Sequence, residues 1–283
     1  MSLVLNRLYR DEVRRGSTPG IEWWVTEVSG QCDQNVARAQ AALKGSSSLP
    51  PDPAWQREAQ RFVREYSAEQ RRLAVLYRRT PSEIGLRPGE TAGWNLADRR
   101  LALTFDDGPK PGLTQRILKI LRASKVPAVF FVMGRNLRTA REGRRLPDYT
   151  GFPVGSHSFT HPFLPELSPS ALKAELSDTN AEIVNANLAP PTMFRAPYGA
   201  RGPRELGAVE KLGMRSVLWN IDSQDWQASM QRRPSRIASR TVALALLRRH
   251  GIILMHDVQP QTPHELEVIL GALGKAGYQF TAP

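Results

Sequence analysis

From residue 99 onward, short apolar runs alternate with helix-length amphipathic segments, and this alternation restricts the fold more than any other feature of the chain. The runs cover residues 101–105, 128–133, 153–156, 193–194, 216–221 and 252–255. Between and after them, apolar spacing predicts helices over 113–124, 169–187, 203–212, 235–249 and 263–276. Strands that are apolar throughout are buried on both faces, and strands separated by helices run parallel through crossovers. Six or seven such units within about 185 residues fit one compact, distorted (β/α)7-type barrel better than two doubly wound sheets.

Residues 1–98 lack this alternation and read as a helical extension. A helix is expected over 35–44, capped by Asp33 and stopped by Gly45, with a Ser- and Pro-rich linker over 45–51. A longer helix over 54–79 carries Trp55, Phe62, Tyr66, Leu73 and Tyr77 at helical spacing. Such a stripe is expected to pack on the neighbouring domain.

Composition excludes several classes. With 41% hydrophobic and 23% charged residues the 283-residue chain is globular. No stretch approaches the ~20 apolar residues of a membrane span. The first residues break into charge too early for a signal-peptide core, although a trimmed leader would look the same. Cys32 is the only cysteine, which excludes an intrachain disulfide or a thiolate metal cluster. The net charge is +12, and residues 99–283 hold 25 basic against 15 acidic side chains. That excess suits an anionic polymer, but no basic run exceeds two residues, so it reads first as a solubility feature. Nothing resembles a zinc finger or an RNA-binding aromatic motif, and no nucleic-acid partner is expected.

Polar residues cluster where the apolar runs end, the position at which a β/α barrel builds its active site. Asp106 and Asp107 follow the first run and precede Gly108-Pro109. Their side chains point to different sides, so one could ligate a metal while the other acts as a base. A capped turn would explain the pair taken alone. His157 and His161 are spaced i, i+4, which puts both imidazoles on one face if Ser158–Thr160 form a helical turn. One Asp and two His leave positions open for water and substrate, the condition for metal-assisted hydrolysis. Arg195-Ala196-Pro197-Tyr198, Asp222-Ser223-Gln224-Asp225-Trp226 and Leu254-Met255-His256-Asp257 close later runs. Singly these read as a surface arginine, a helix cap and a core histidine; together they read as one converging site.

In this order, Thr104-Phe105-Asp106-Asp107-Gly108, His157-Ser158-Phe159-Thr160-His161, Arg195-Ala196-Pro197-Tyr198, Asp222-Ser223-Gln224-Asp225-Trp226 and Leu254-Met255-His256 resemble the five motifs of the polysaccharide deacetylases with a NodB homology domain, carbohydrate esterase family 4. The resemblance covers residues 99–283 and implies a catalytic domain there, with residues 1–98 outside it. It implies one divalent metal, zinc first and cobalt, nickel or manganese as alternatives, held by Asp107, His157 and His161. It implies Asp106 as general base and Arg195 as the group that keeps that base placed and ionised. The backbone N–H of Tyr198 would stabilise the oxyanion, and His256, tuned by Asp225, would be the general acid. Trp226 and Leu254 would wall the pocket for the acetyl methyl. All five motifs are present, which argues against a degenerate relative. The segment 141–152 departs from the family as a charged and then aromatic loop bordering the groove.

The resemblance implies hydrolysis of N-acetyl groups on the amino sugars of a cell-wall or exopolysaccharide glycan, outside the cytoplasm. Two other readings remain: the same barrel acting on O-acetylxylan or a small cyclic amide, and a glycan-binding module centred on residues 1–98.

Overall fold

The computed structural model describes residues 37–44, 54–77, 89–93 and 95–283, with side chains of the 54–77 helix described as far as Glu65. The expected cap Asp33, stop Gly45 and linker 45–51, and the stripe residues Tyr66, Leu73 and Tyr77, lie outside the described residues or side chains.

The strands are β1 (Arg100–Asp106), β2 (Ala128–Val132), β3 (Val154–Ser156), β4 (Met193–Phe194), β5 (Arg215–Ser216), β6 (Ile221–Asp222), β7 (Gly251–His256) and β8 (Gln279–Phe280). They form one parallel sheet in the order β5-β4-β3-β2-β1-β7-β6, with β8 pairing the start of β1. The sheet curls into the expected distorted barrel. Alternation along each strand divides its residues between two cores. Leu101, Leu103 and Phe105 of β1 and Phe130 and Val132 of β2 face outward, into the main core against the helices. Ala102, Val129, Phe131, Ile252 and Leu254 face inward and fill the barrel with Val217 and Trp219. The same parity turns Thr104 and Asp106 inward.

The barrel closes at a seam. The run expected as one strand over 216–221 is two short strands, β5 and β6, at opposite edges of the sheet. Residues 218–220 cross between them outside the strands, and the Val217 and Leu218 carbonyls turn to Arg195, at 2.9 and 3.0 Å. Outside the seam, Thr91 bridges Val217, its N–H reaching the Ser216 carbonyl and its carbonyl accepting from Leu218 N–H. Residues 89–93 therefore contribute to the barrel wall.

Helices Leu113–Ser124, Pro169–Asn185, Pro203–Lys211, Ser235–Arg248 and Thr262–Lys275 lie within a few residues of their expected positions. Helix Gly134–Glu142 was not anticipated. Its buried face is only Gly134, Leu137 and Ala140, and its arginines hide the period. The segment expected as a loop over 141–152 therefore begins in a helix. Its aromatic part packs inward, with Tyr149 buried edge-on against Phe130 at 5.4 Å.

The helix Ala54–Tyr77 lies along Ser235–Arg248. Trp55, Ala59 and Val63 join the main core beside Ile237 and Val242. Gln56 and Gln60 both donate, at 2.7 Å, to the Leu43 carbonyl at the end of the 37–43 helix. Truncating a buried aromatic of this kind costs about 3–5 kcal/mol. Trp55→Ala should therefore lower the urea midpoint of the whole protein in a single transition. An unchanged midpoint would show that this helix adds nothing to the barrel's stability.

Candidate active site

The site lies at the C-terminal ends of the strands, where the chain leaves the sheet and side chains are freed from the core. β1 delivers Asp106 and Asp107, β3 leads into His157, β4 into Arg195, β6 into Asp225, and β7 ends at His256. Asp106 and His256 are register partners across the β1–β7 pair, so the two groups stand side by side at the mouth of the barrel.

Asp107, His157 and His161 form the metal-competent cluster, with one ligand atom from each within 4.8 Å of the others. Asp107 Oδ1 lies 3.5 Å from Nε2 of both histidines. That oxygen is buried and lacks a hydrogen-bond partner, a costly state for a carboxylate that a cation would relieve. His157 donates from Nδ1 to the Arg195 carbonyl at 2.7 Å, which leaves Nε2 as the ligand nitrogen. Burial lowers the His161 pKa to about 4, helped by the neighbouring His157, so this imidazole is neutral and able to ligate. Burial favours the neutral form of Asp107, but the adjacent His157 and the other surrounding imidazoles outweigh it and hold the carboxyl far below its usual range. Two imidazoles and one ionised carboxylate are a donor set that fits a divalent ion.

The two histidines do not share a helical face. Residues 157–161 form an extended bend in which Ser158 and His161 both have φ 65°. The bend is held from outside by Glu175 on the helix Pro169–Asn185. Its Oε2 accepts from the backbone N–H groups of Phe159 and Thr160 at 2.7 and 2.8 Å, and its Oε1 from the Thr160 hydroxyl at 2.6 Å. Three such bonds replace the helical turn expected from the spacing. Nothing in the sequence marks Glu175, a glutamate within an ordinary amphipathic helix.

Asp106 is buried and sits apart from the cluster, its Oδ2 3.8 Å from His157 Nε2. Its other oxygen accepts from Arg195 Nη1 at 2.8 Å. Arg195 is fully buried and donates also to Thr104 Oγ1 at 2.7 Å, while its guanidinium lies over the Phe131 ring at 4.3 Å. Thr104 passes the chain of bonds to the Ile253 carbonyl at 2.6 Å. Thr104 stands in the first motif but has no role assigned from the sequence, although it shares Asp106's parity on β1.

On the other side, Asp225 is fully buried and accepts from His256 Nδ1 at 2.7 Å, from His256 N–H at 2.8 Å and from the Thr262 hydroxyl at 2.7 Å. Burial alone would lower the His256 pKa, but the Asp225 carboxylate, joined by Asp107 and Asp106, raises it to about 10. Tyr198, at φ 60°, stacks edge-on against His161 at 4.5 Å and is 46% exposed. Trp226 stands at the rim, 37% exposed, whereas Leu254 belongs to the barrel interior.

A polysaccharide deacetylase family model matches residues 95–217. A chitooligosaccharide deacetylase of Rhizobium leguminosarum bv. trifolii is 36% identical over 163 residues, covering 58% of this chain and 74% of the relative. The chain belongs to the polysaccharide deacetylase family. The peptidoglycan-N-acetylglucosamine deacetylase PgdA of Listeria monocytogenes is 33% identical over 185 residues, or 65% of this chain, and the match spans 38% of that longer relative. Among solved structures, a family 4 carbohydrate esterase from Streptomyces lividans in complex with acetate aligns with a TM-score of 0.56 and 31% identity, covering 64% of this chain and 91% of the esterase. At metal sites, groups that orient the ligands are worth about 10–100-fold in affinity. Glu175→Gln should weaken metal binding in that range, read by competition with a chromophoric chelator. Wild-type affinity in the variant would mean that the bend holds its shape without Glu175.

Proposed function

We propose that residues 99–283 form the catalytic domain of a metal-dependent hydrolase that removes N-acetyl groups from amino-sugar residues of a glycan, releasing acetate. The observation that carries this reading is the placement of Asp106 and His256 in register, beside the Asp107–His157–His161 cluster. An acetamide is unreactive, so its hydrolysis needs an activated water, a sink for oxyanion charge and a proton for the leaving nitrogen. Asp107, His157 and His161 would hold a divalent ion, whose charge would make water more acidic and polarise the acetyl carbonyl. Zinc suits two imidazoles and a carboxylate, and cobalt, nickel or manganese are alternatives.

The chain's own residues then divide the proton work. Asp106 takes the proton from the attacking water, and Arg195 keeps that carboxylate aimed through the bond to its other oxygen. The Tyr198 backbone N–H faces the developing oxyanion. His256 gives its proton to the departing amine, and Asp225 fixes the ring with its proton on the side away from the carboxylate as well as on Nδ1. Trp226 covers the acetyl methyl at the rim, and Leu254 lies beneath it. A base and an acid so placed contribute about 10²–10⁴ each in rate. A polymeric glycan of this kind places the enzyme outside the cytoplasm, and the 37–43 and Ala54–Tyr77 helices then form an extension packed on the domain.

The reading is tested by acetate release from N-acetylated chitooligosaccharide and from acetylxylan. Turnover of the first should vanish on exhaustive chelation and return with added zinc. Full turnover in metal-free protein, or preference for acetylxylan, would overturn it.

Adjacent carboxylates should show opposite phenotypes. Asp107→Asn should lose metal, while Asp106→Asn should keep it and lose about 10²–10⁴ in turnover. Metal content of the two purified variants decides, and equal loss from both would contradict the division of roles.

The raised pKa of His256 keeps the imidazolium populated through neutral pH, so activity should fall on the alkaline side as the proton is lost. Asp225→Asn removes the main stabilising carboxylate and should move that limb to lower pH. An unmoved alkaline limb in the variant's pH–rate profile would remove His256 from the role of acid.

A further inference from the structure

The turn that carries the Tyr198 N–H is tied to a segment of chain ahead of the barrel. Glu90 precedes β1, and its side chain is only 2% exposed. A buried carboxylate needs a partner that offsets its lost hydration, and Glu90 meets Arg201 in a two-pronged pair. Arg201 Nε donates to Glu90 Oε1 and Arg201 Nη2 to Glu90 Oε2, each at 2.7 Å. Such a fork fixes the orientation of its two ends as well as their distance.

Both ends of the fork are anchored. Next to Glu90, Thr91 is bonded to the seam through both of its backbone groups. Its N–H donates to the Ser216 carbonyl at 3.2 Å, and its carbonyl accepts from Leu218 N–H at 2.7 Å. At the other end, Arg201 follows the turn that begins at Pro197, and its Nη1 reaches back to the Gly199 carbonyl at 3.4 Å. Inside that turn, Gly199 N–H donates to the Ala196 carbonyl and Ala200 N–H to the Pro197 carbonyl, both at 2.9 Å. Neither bond uses the Tyr198 N–H. Tyr198 is held at φ 60°, a conformation that a tyrosine keeps only where its surroundings enforce it.

We propose that Glu90 is a positioning residue for the reaction. Through Arg201 it fixes the 197–201 turn, and with it the direction in which the Tyr198 N–H meets the developing oxyanion. The proposal rests on the deacetylase reading for that oxyanion and goes beyond it by giving the chain ahead of the barrel a part in catalysis.

The test compares zinc-loaded wild type with Glu90→Gln, which keeps the size of the side chain and removes its charge. The substrates are two chitooligosaccharides, one N-acetylated and one N-trifluoroacetylated. Fluorine draws charge off the oxyanion, so the second substrate depends less on a well-aimed donor. On the N-acetyl oligomer kcat should fall about 10–100-fold, with KM and zinc affinity unchanged. The deficit should shrink on the N-trifluoroacetyl oligomer, and backbone hydrogen exchange over residues 196–201 should quicken in the variant. If Glu90→Gln fails to fold, as judged by lost zinc binding, the Glu90→Gln/Arg201→Gln double variant should show the same pattern, since it leaves no lone buried charge. An unchanged kcat, an equal deficit on both acyl groups, or exchange as slow as in wild type would overturn the proposal. Should wild type hydrolyse neither oligomer, the deacetylase reading fails, and the exchange rates alone decide whether Glu90 holds the turn.

Discussion

A single buried guanidinium organises this barrel. Arg195 has no exposed surface, so each of its N–H groups needs a partner inside the protein. It finds them on three sides: the Val217 and Leu218 carbonyls at the seam, the Thr104 hydroxyl, and the Asp106 carboxylate. The Phe131 and Trp219 rings cover it at 4.3 and 5.5 Å. Its own carbonyl accepts from His157, so one residue touches both the proposed base and a proposed metal ligand. Breaking a buried pair of this kind typically costs about 3–5 kcal/mol, because the remaining charge has no water to turn to. The same side chain therefore supports the seam where the sheet fails to pair and the chemistry at the mouth above it.

The site also holds strained backbone. Asp107, Ser158, His161, Tyr198 and Gln224 all have φ between 58° and 74°, a region costly for side chains other than glycine. Each is at a strand end or in the bend that follows one. The surrounding bonds hold them there: Asn136 to the Asp107 carbonyl, Glu175 to the 159–160 amides, and Asp222 to the Gln224 N–H at 2.8 Å. Gly108 is needed for a related reason. A side chain at this position would run into the Asp257 carboxylate packed against it. Strained backbone at the site, opposed by bonds from outside it, is what a preorganised site requires.

Much of this was legible in the sequence, and the physical reason is periodicity. Fully apolar strands between amphipathic helices leave a strong signal, which is why β1, β2 and β7 and the helices after them lie close to their expected positions. The seam was not legible. An apolar run over 216–221 looks the same whether its carbonyls pair with a strand or with a buried arginine 22 residues earlier. Helix Gly134–Glu142 escaped for the opposite reason, a buried face too narrow to show among its arginines. Of the site, the residues with chemically rare side chains stood out in their motifs. The residues that orient them did not, since Thr104, Glu175, Asn136 and Thr262 are ordinary types in ordinary segments. The i, i+4 spacing of His157 and His161 suggested the right cluster for the wrong local reason, a helical turn in place of a bend tied down by Glu175.

In the proposed mechanism Arg195 separates two neighbouring carboxylates into different roles, keeping Asp106 off the metal and leaving Asp107 to bind it. A crystal structure of the zinc-loaded protein, with the ion located by anomalous scattering at the zinc edge, tests this most directly. The account predicts an ion bonded to Asp107, His157 and His161, with Asp106 still paired to Arg195. An ion bonded to Asp106, or an Asp106 that has left Arg195 to reach it, would contradict the account.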